Sequence, residues 1–194
     1  MNHVPCGYPM PRMPEFEDVC ATLKKTAAAL ENAGVPFMLG GGLAAWVRGG
    51  PESDHDLDYM VRPTDAGRAL AALVQAGLRP ERPPERWLLK AWDGDVLVDL
   101  IFRPASGTVG DDEFERAEVI EVLAQEMPVM SLEDVVVTKL LALREHQVDY
   151  DSVLEIARSL REQIDWDDVR TRTAESPYAK AFFVLAEELA IIEA

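Results

Sequence analysis

A chain of 194 residues with 48% hydrophobic content can bury one substantial core, or one core plus a small helical appendage. It holds no apolar run of the length a membrane-spanning helix needs. The formal net charge of −16 is uneven, with 8 Lys/Arg against 21 Asp/Glu over residues 111–194 and 11 against 14 over residues 1–110. So acidic a C-terminal part disfavours a large nucleic-acid footprint there; it reads as a solvated helical surface, or as a face for a cationic substrate or basic partner.

Residues 1–14 hold several prolines and no apolar block, which predicts a flexible arm and not a signal peptide; the start could equally be Met10 or Met13. Cys6 in the arm and Cys20 beyond it lack metal-ligand spacing, as reduced thiols of a cytoplasmic protein would. Glu15 to Ala33 carries apolar residues at helical spacing and stops at Gly34. Val35 to Leu39 reads as a strand, Gly42 to Val47 as a short helix ended by Gly49-Gly50-Pro51, Asp56 to Val61 as a second strand, and Asp65 to Ala76 as a helix. After a Pro-rich, charged connection over Arg79 to Glu85, Arg86 to Trp92 and Asp95 to Phe102 form a hairpin around Asp93-Gly94. A loop over Pro104 to Gly110 leads to two weaker strands, Val119 to Leu123 and Met127 to Met130. Helices follow over about 132–145, 149–161, 166–173 and 178–192, the first opened by Ser131 and an acidic turn. This order predicts an α+β or α/β core with a helical C-terminal lobe: arm 1–14, core 15–130, lobe 131–194.

Chemistry concentrates between Leu39 and Val61. Asp56 and Asp58 stand two apart on a strand, so both carboxylates leave one face while Leu57 and Tyr59 turn to the core. Paired carboxylates are costly without a cation, and Mg²⁺ suits them because it takes oxygen ligands together with substrate phosphates. Gly40-Gly41-Gly42, between strand and helix, allows close backbone approach to an anion or is a plain turn. Arg48 is placed to meet a phosphate, or Glu52 or Asp54. Asp99 lies inside the apolar strand Val96 to Phe102, where a carboxylate needs a partner: a metal shared with Asp56 and Asp58, Lys90, or solvent at an edge. His55 is not needed as a ligand and faces away from the pair; His3 and His146 read as surface residues. Trp46, Trp87 and Trp92 could stack a base or pack at the core and its rim.

A Gly-Gly turn, a short helix, Asp-x-Asp on a strand and a third Asp on a later strand resemble the nucleotidyltransferase superfamily related to DNA polymerase β, across roughly residues 35–103. The likeness extends to bacterial aminoglycoside and lincosamide adenylyltransferases and to abortive-infection-type toxins. It implies a mixed sheet flanked by helices with a helical C-terminal lobe. It also implies a two-metal site in which Asp56, Asp58 and Asp99 bind two Mg²⁺ ions and an NTP such as ATP, with Asp99 assisting deprotonation of an acceptor hydroxyl. Members of the superfamily usually carry Gly-Ser or Gly-Gly in this turn; here it is Gly41-Gly42, so the serine hydroxyl that often touches phosphate is missing. Met130 to Ala142 is similar to the Ser-x-Glu-Asp…Lys-Leu-x-Ala helix of bacterial members, which implies nucleotide-site roles for Lys139 and, further on, Asp149; Lys139 could equally snorkel from an apolar helix. The acceptor is expected to be a small hydroxylated molecule, with tRNA or protein as the toxin-type alternative. A non-catalytic nucleotide-binding module is the reading outside enzymology.

Overall fold

The computed structural model describes residues 14–52 and 56–193. The expectations for the arm before Pro14, including His3 and Cys6, and for Asp54 and His55 lie outside these residues. Among the described residues, seven strands form one mixed sheet in the order β3-β4-β5-β2-β1-β7-β6. They are β1 (Met38–Leu39), β2 (Asp56–Met60), β3 (Arg79–Glu81), β4 (Leu88–Asp93), β5 (Val96–Ile101), β6 (Glu118–Val122) and β7 (Gln125–Val129). The helices are α1 (Phe16–Asn32), α2 (Gly41–Trp46), α3 (Ala66–Gln75), α4 (Asp111–Arg116), α5 (Leu132–Ala142), α6 (Asp151–Leu160), α7 (Trp166–Arg172) and α8 (Pro177–Glu188), with a 3-10 turn over Arg161–Gln163. No helix among the described residues is long and apolar enough to cross a membrane.

β2 runs parallel to β5 and antiparallel to β1, which in turn runs parallel to β7. Leu57 and Tyr59 are fully buried on the face covered by α1, where the Tyr59 hydroxyl lies 2.8 Å from Thr26 Oγ1. α3 packs on the same face against β4 and β5. The other face carries the acidic residues and is flanked by α2, which packs on β2 and in turn on α5. α5 is buried along Val135, Val136, Val137 and Leu140, and α7 and α8 pack on it. Its first turn is capped by Ser131, whose Oγ accepts from the Asp134 amide at 3.2 Å.

One element stands where a connection was expected, and another, α4, lies in a stretch to which the sequence assigned no element. Arg79–Glu81 is an edge strand, exposed at all three residues, and an edge tolerates Pro80 because no ladder is required on its outer side. α4 buries no residue, so no apolar period marks it; its N-terminal turn is held by the Gly110 amide donating to Glu113 Oε2 at 2.8 Å. The turn between β6 and β7 uses Leu123 and Ala124 at φ of 54° and 68°, without the glycine or asparagine that would announce a tight hairpin. β1 is shorter than expected because only Met38 and Leu39 pair with β2.

Candidate functional site

The β2–β5 ladder sets Asp58 directly beside Asp99, and Asp56 beside Leu97. Residues opposed in a ladder share a face, so Asp56, Asp58 and Asp99 all project from the side opposite Tyr59. β4 adds Lys90 opposite Asp99 and Trp92 opposite Leu97, and β3 adds Glu81 and Arg79 beyond them. Lys90, Trp92 and Leu97 are half-buried, and α1 and α3 lie on the other face. Among the described residues, the carboxylates therefore stand between a helix-flanked half of this face and an open half that no helix covers.

The glycine turn is fitted to Asp58. The Gly40 amide donates to the Asp58 carbonyl at 2.8 Å, and Gly41 has φ of +58° with its α-carbon against the Asp58 side chain. Burial, and then the negative charge of Asp56, push the Asp58 carboxyl up to about 6, against the opposing pull of Lys139 and Lys90. Burial, and then Asp58, push Asp99 up to about 7, with Lys90 opposing. Asp99 is only 8% exposed and its Oδ1 has no hydrogen-bond partner, although Lys90 Nζ is 3.9 Å away. Of the sequence-based alternatives for Asp99, Lys90 lies within ion-pair range, and a solvent-facing edge does not apply because β5 sits between β4 and β2.

A cleft of 190 Å³ opens on Asp56 and Asp58 and is closed by Gly42 on one side and by Lys139, Ser152 and Glu155 on the other. Lys139 projects from α5 and donates to Ser152 Oγ at 3.4 Å. Ser152 and Glu155 are cleft residues that sequence reasoning missed. The apolar period of Val153, Leu154, Ile156 and Ala157 marks α6 as amphipathic, but which neighbour its polar face meets depends on how α6 docks against α5. A larger groove of 1070 Å³ lies in the helical lobe beside Trp166, Arg170, Glu187 and Ile191. It holds none of the expected site residues, and Arg170 there is satisfied by Glu187 at 2.6 Å. Asp56, Asp58 and Lys139 line the smaller cleft.

Arg48 and Asp149 stand apart from it. The Arg48 guanidinium donates to the Ala44 carbonyl at 2.7 Å and pairs with Glu118 at 3.3 Å, with its side chain only 7% exposed. Asp149 is exposed, and its Oδ1 accepts from the Asp151 amide at 2.9 Å, fixing the start of α6. Trp46 stacks edge-on against Phe16 at 4.9 Å, Trp92 donates its indole N–H to Glu81, and Trp87 is exposed. His146 is on the surface, as expected.

Among the described residues, no three His, Cys, Asp or Glu side chains converge tightly enough to hold an ion by themselves. The chemical fit therefore rests on the donor set. Hard carboxylate oxygens from Asp56, Asp58 and Asp99, one of them buried and unpartnered, match the oxygen preference of Mg²⁺.

A mixed sheet with a Gly-Gly turn, a short helix and an Asp-x-Asp strand beside a second Asp-bearing strand is the fold of a nucleotidyltransferase. The solution structure of the antibiotic-resistance factor ANT(2'')-Ia shares it, at 14% identity and a TM-score of 0.63 over 91% of this chain and 99% of that one. So do a lincomycin-bound lincosamide antibiotic adenylyltransferase, LnuA (12% identity, TM-score 0.50, 84% and 100% covered), and a putative nucleotidyltransferase from Thermotoga maritima (16%, 0.50, 61% and 81%). At these identities the likeness is one of fold. No curated protein matches the sequence. The chain belongs to the family described as uncharacterised nucleotidyltransferase, whose profile matches residues 18–189, and is by that membership a transferase.

Proposed function

We propose that the protein is a Mg²⁺-dependent, two-metal nucleotidyltransferase that moves a nucleoside monophosphate from an NTP, ATP first among candidates, to a hydroxyl of a small molecule. The observation that carries this reading is Asp99 in register with Asp58, with a buried oxygen that has no hydrogen-bond partner. In this reading the core, 15–130, supplies the carboxylates, the helical lobe, 131–194, supplies Lys139, and the cleft between them takes the triphosphate.

Asp56, Asp58 and Asp99 would hold two Mg²⁺ ions. When bound, the ions supply charge neutralisation of the triphosphate and activation of the attacking hydroxyl. Gly41 and Gly42 let the backbone approach the phosphates, and the Lys139 ammonium pairs with them from α5. Arg48 supports α2 from behind through the Ala44 carbonyl, and Asp149 fixes the α6 that carries Ser152 and Glu155. The acceptor comes over the open stretch of Lys90, Trp92 and Leu97, which brings its hydroxyl to Asp99. In this reading Asp99 takes the proton of that hydroxyl.

Tobramycin and lincomycin, named with the structural neighbours, are the first acceptors to try. The acidic lobe favours a cationic acceptor over tRNA. The test is incubation with each α-labelled NTP, Mg²⁺ and either these compounds or a cell lysate. A labelled small product that disappears in Asp99→Asn and Asp58→Asn supports the reading. Label on tRNA or protein would replace the acceptor class, and NTP binding with no transfer to anything would point to a nucleotide sensor.

A further inference from the structure

Lys90 and Asp99 are directly opposed across the β4–β5 ladder, yet they do not form a close pair. The ammonium stops 3.9 Å from Oδ1, within ion-pair range and beyond hydrogen-bond range, and leaves that oxygen without a donor. A lysine has four rotatable side-chain bonds and three donors, so a permanent structural partner of a buried carboxylate would close the gap. Glu81, the other acid opposite Lys90 in the sheet, is occupied by the Trp92 indole. Lys90 keeps 22% of its side chain exposed on the open half of the face, so it has somewhere else to go.

We propose that Lys90 is the resident counter-ion of the carboxylate edge: its ammonium stands in for a divalent cation beside Asp99, swings toward the open face when the ion binds, and so sets the affinity for that ion. This rests on the reading of Asp58 and Asp99 as cation ligands. Without Lys90, the ion-free protein would hold Asp58 and Asp99 side by side with no cation on the β4 flank. With Lys90, an incoming ion must share Asp99 with a positive charge within 4 Å, and like charges compete. Lys139 approaches Asp58 from the opposite flank, across the cleft, and is held toward Ser152. The two lysines are therefore not equivalent: one serves the cleft and the other serves the acid that faces the open sheet.

The test is titration of the full chain with Mn²⁺ alone at low ionic strength and pH 8, reading free Mn²⁺ by electron paramagnetic resonance. Lys90→Met is expected to bind Mn²⁺ about tenfold more tightly than wild type, and Lys90→Arg to stay near wild type. Lys25→Met, which removes the same charge from an α1 lysine paired with Asp93 at the end of β4, controls for net charge and is expected to leave the affinity unchanged. Thermal melts add a second readout: Lys90→Met is less stable than wild type without Mn²⁺ and gains more from its addition. Lys90→Gln serves if the Met variant does not fold. Unchanged or weaker binding in Lys90→Met, or equal tightening in Lys25→Met, overturns the inference. If Asp99→Asn abolishes binding while Lys90→Met leaves it unchanged, the inference alone falls. If Asp99→Asn binds as wild type does, the two-metal reading falls with it.

Discussion

A Cβ added to Gly41 would lie 1.9 Å from Asp58 Oδ2, well inside van der Waals contact. The first residue of α2 is thus shaped by the carboxylate beside it, and its φ of +58° independently favours glycine. Gly41→Ala is expected to destabilise the fold by about 1–3 kcal/mol and to displace the Asp58 carboxylate, lowering transfer more than stability alone explains. Gly49→Ala is the matched control: it also has positive φ, +93°, but nothing lies within 4 Å of its added Cβ, so its cost should stay near 1 kcal/mol. Urea denaturation of both variants, alongside transfer rates, checks the pair. Equal loss of activity in the two would remove Asp58 displacement as the cause.

Much of this site could be read from the sequence because local rules place it. The two-residue period puts Asp56 and Asp58 on one face, the glycines interrupt strand and helix, and an aspartate inside Val96 to Phe102 asks for a partner. What stayed hidden depends on long-range packing. Nothing local says that β5 lies parallel to β2 in a register that matches Asp58 with Asp99, or that α6 turns Ser152 and Glu155 toward Lys139. Arg48 shows the converse: a guanidinium near a glycine turn invites a phosphate, but the chain folds β6 alongside and Glu118 takes it. β3 and α4 escaped notice because both are exposed and carry no apolar period.

The pH dependence of the ion-free protein follows from Asp58 and Asp99. Their folded pKa values, about 6 and about 7, lie above the unfolded value, so the protonated forms are favoured by folding. Their contribution to stability is fully present below about pH 4 and is lost as pH rises through 6 to 7. Asp99→Asn keeps the shape and removes the charge. At pH 8 without divalent ions it should be more stable than wild type, on the order of 2 kcal/mol, with the difference vanishing near pH 4. Thermal melts across that range in EDTA check this; a variant less stable than wild type at pH 8 would mean Asp99 is ionised at little cost.

Lys139 is the cation that closes the cleft over Asp56 and Asp58. Lys139→Met retains the apolar stem against α5 and α6 and removes the ammonium. The expected result is a KM for NTP raised by about 10- to 100-fold with an unchanged melting temperature, since its Ser152 contact at 3.4 Å is long and exposed. Ser152→Ala, losing only that contact, should change KM little. A melting temperature that falls with Lys139→Met while KM holds would make Lys139 a packing residue.

α5 itself is held by a buried charge that responds to pH in the opposite sense. Asp134, 2% exposed, accepts from Arg116 Nε at 3.0 Å and Nη2 at 3.1 Å, and from Arg172, so one carboxylate ties α4 and α7 to α5. Burial pushes its carboxyl up, but the hydrogen bonds and charges of Arg116 and Arg172 win and hold it below the usual range. Its stabilisation is therefore complete above the unfolded pKa of about 4 and disappears only as pH falls through the lower folded value. Asp134→Asn leaves two arginines facing a neutral amide and should cost about 3 kcal/mol at pH 7, with the deficit narrowing as pH falls and the wild-type carboxyl protonates. Because Lys139 lies further along the same helix, the variant should also weaken NTP binding, restored when NTP is raised at a temperature where the fold is intact. Urea melts at pH 7 and pH 3 decide it: a deficit equal at both values would show that the arginines hold α5 by packing and not by charge.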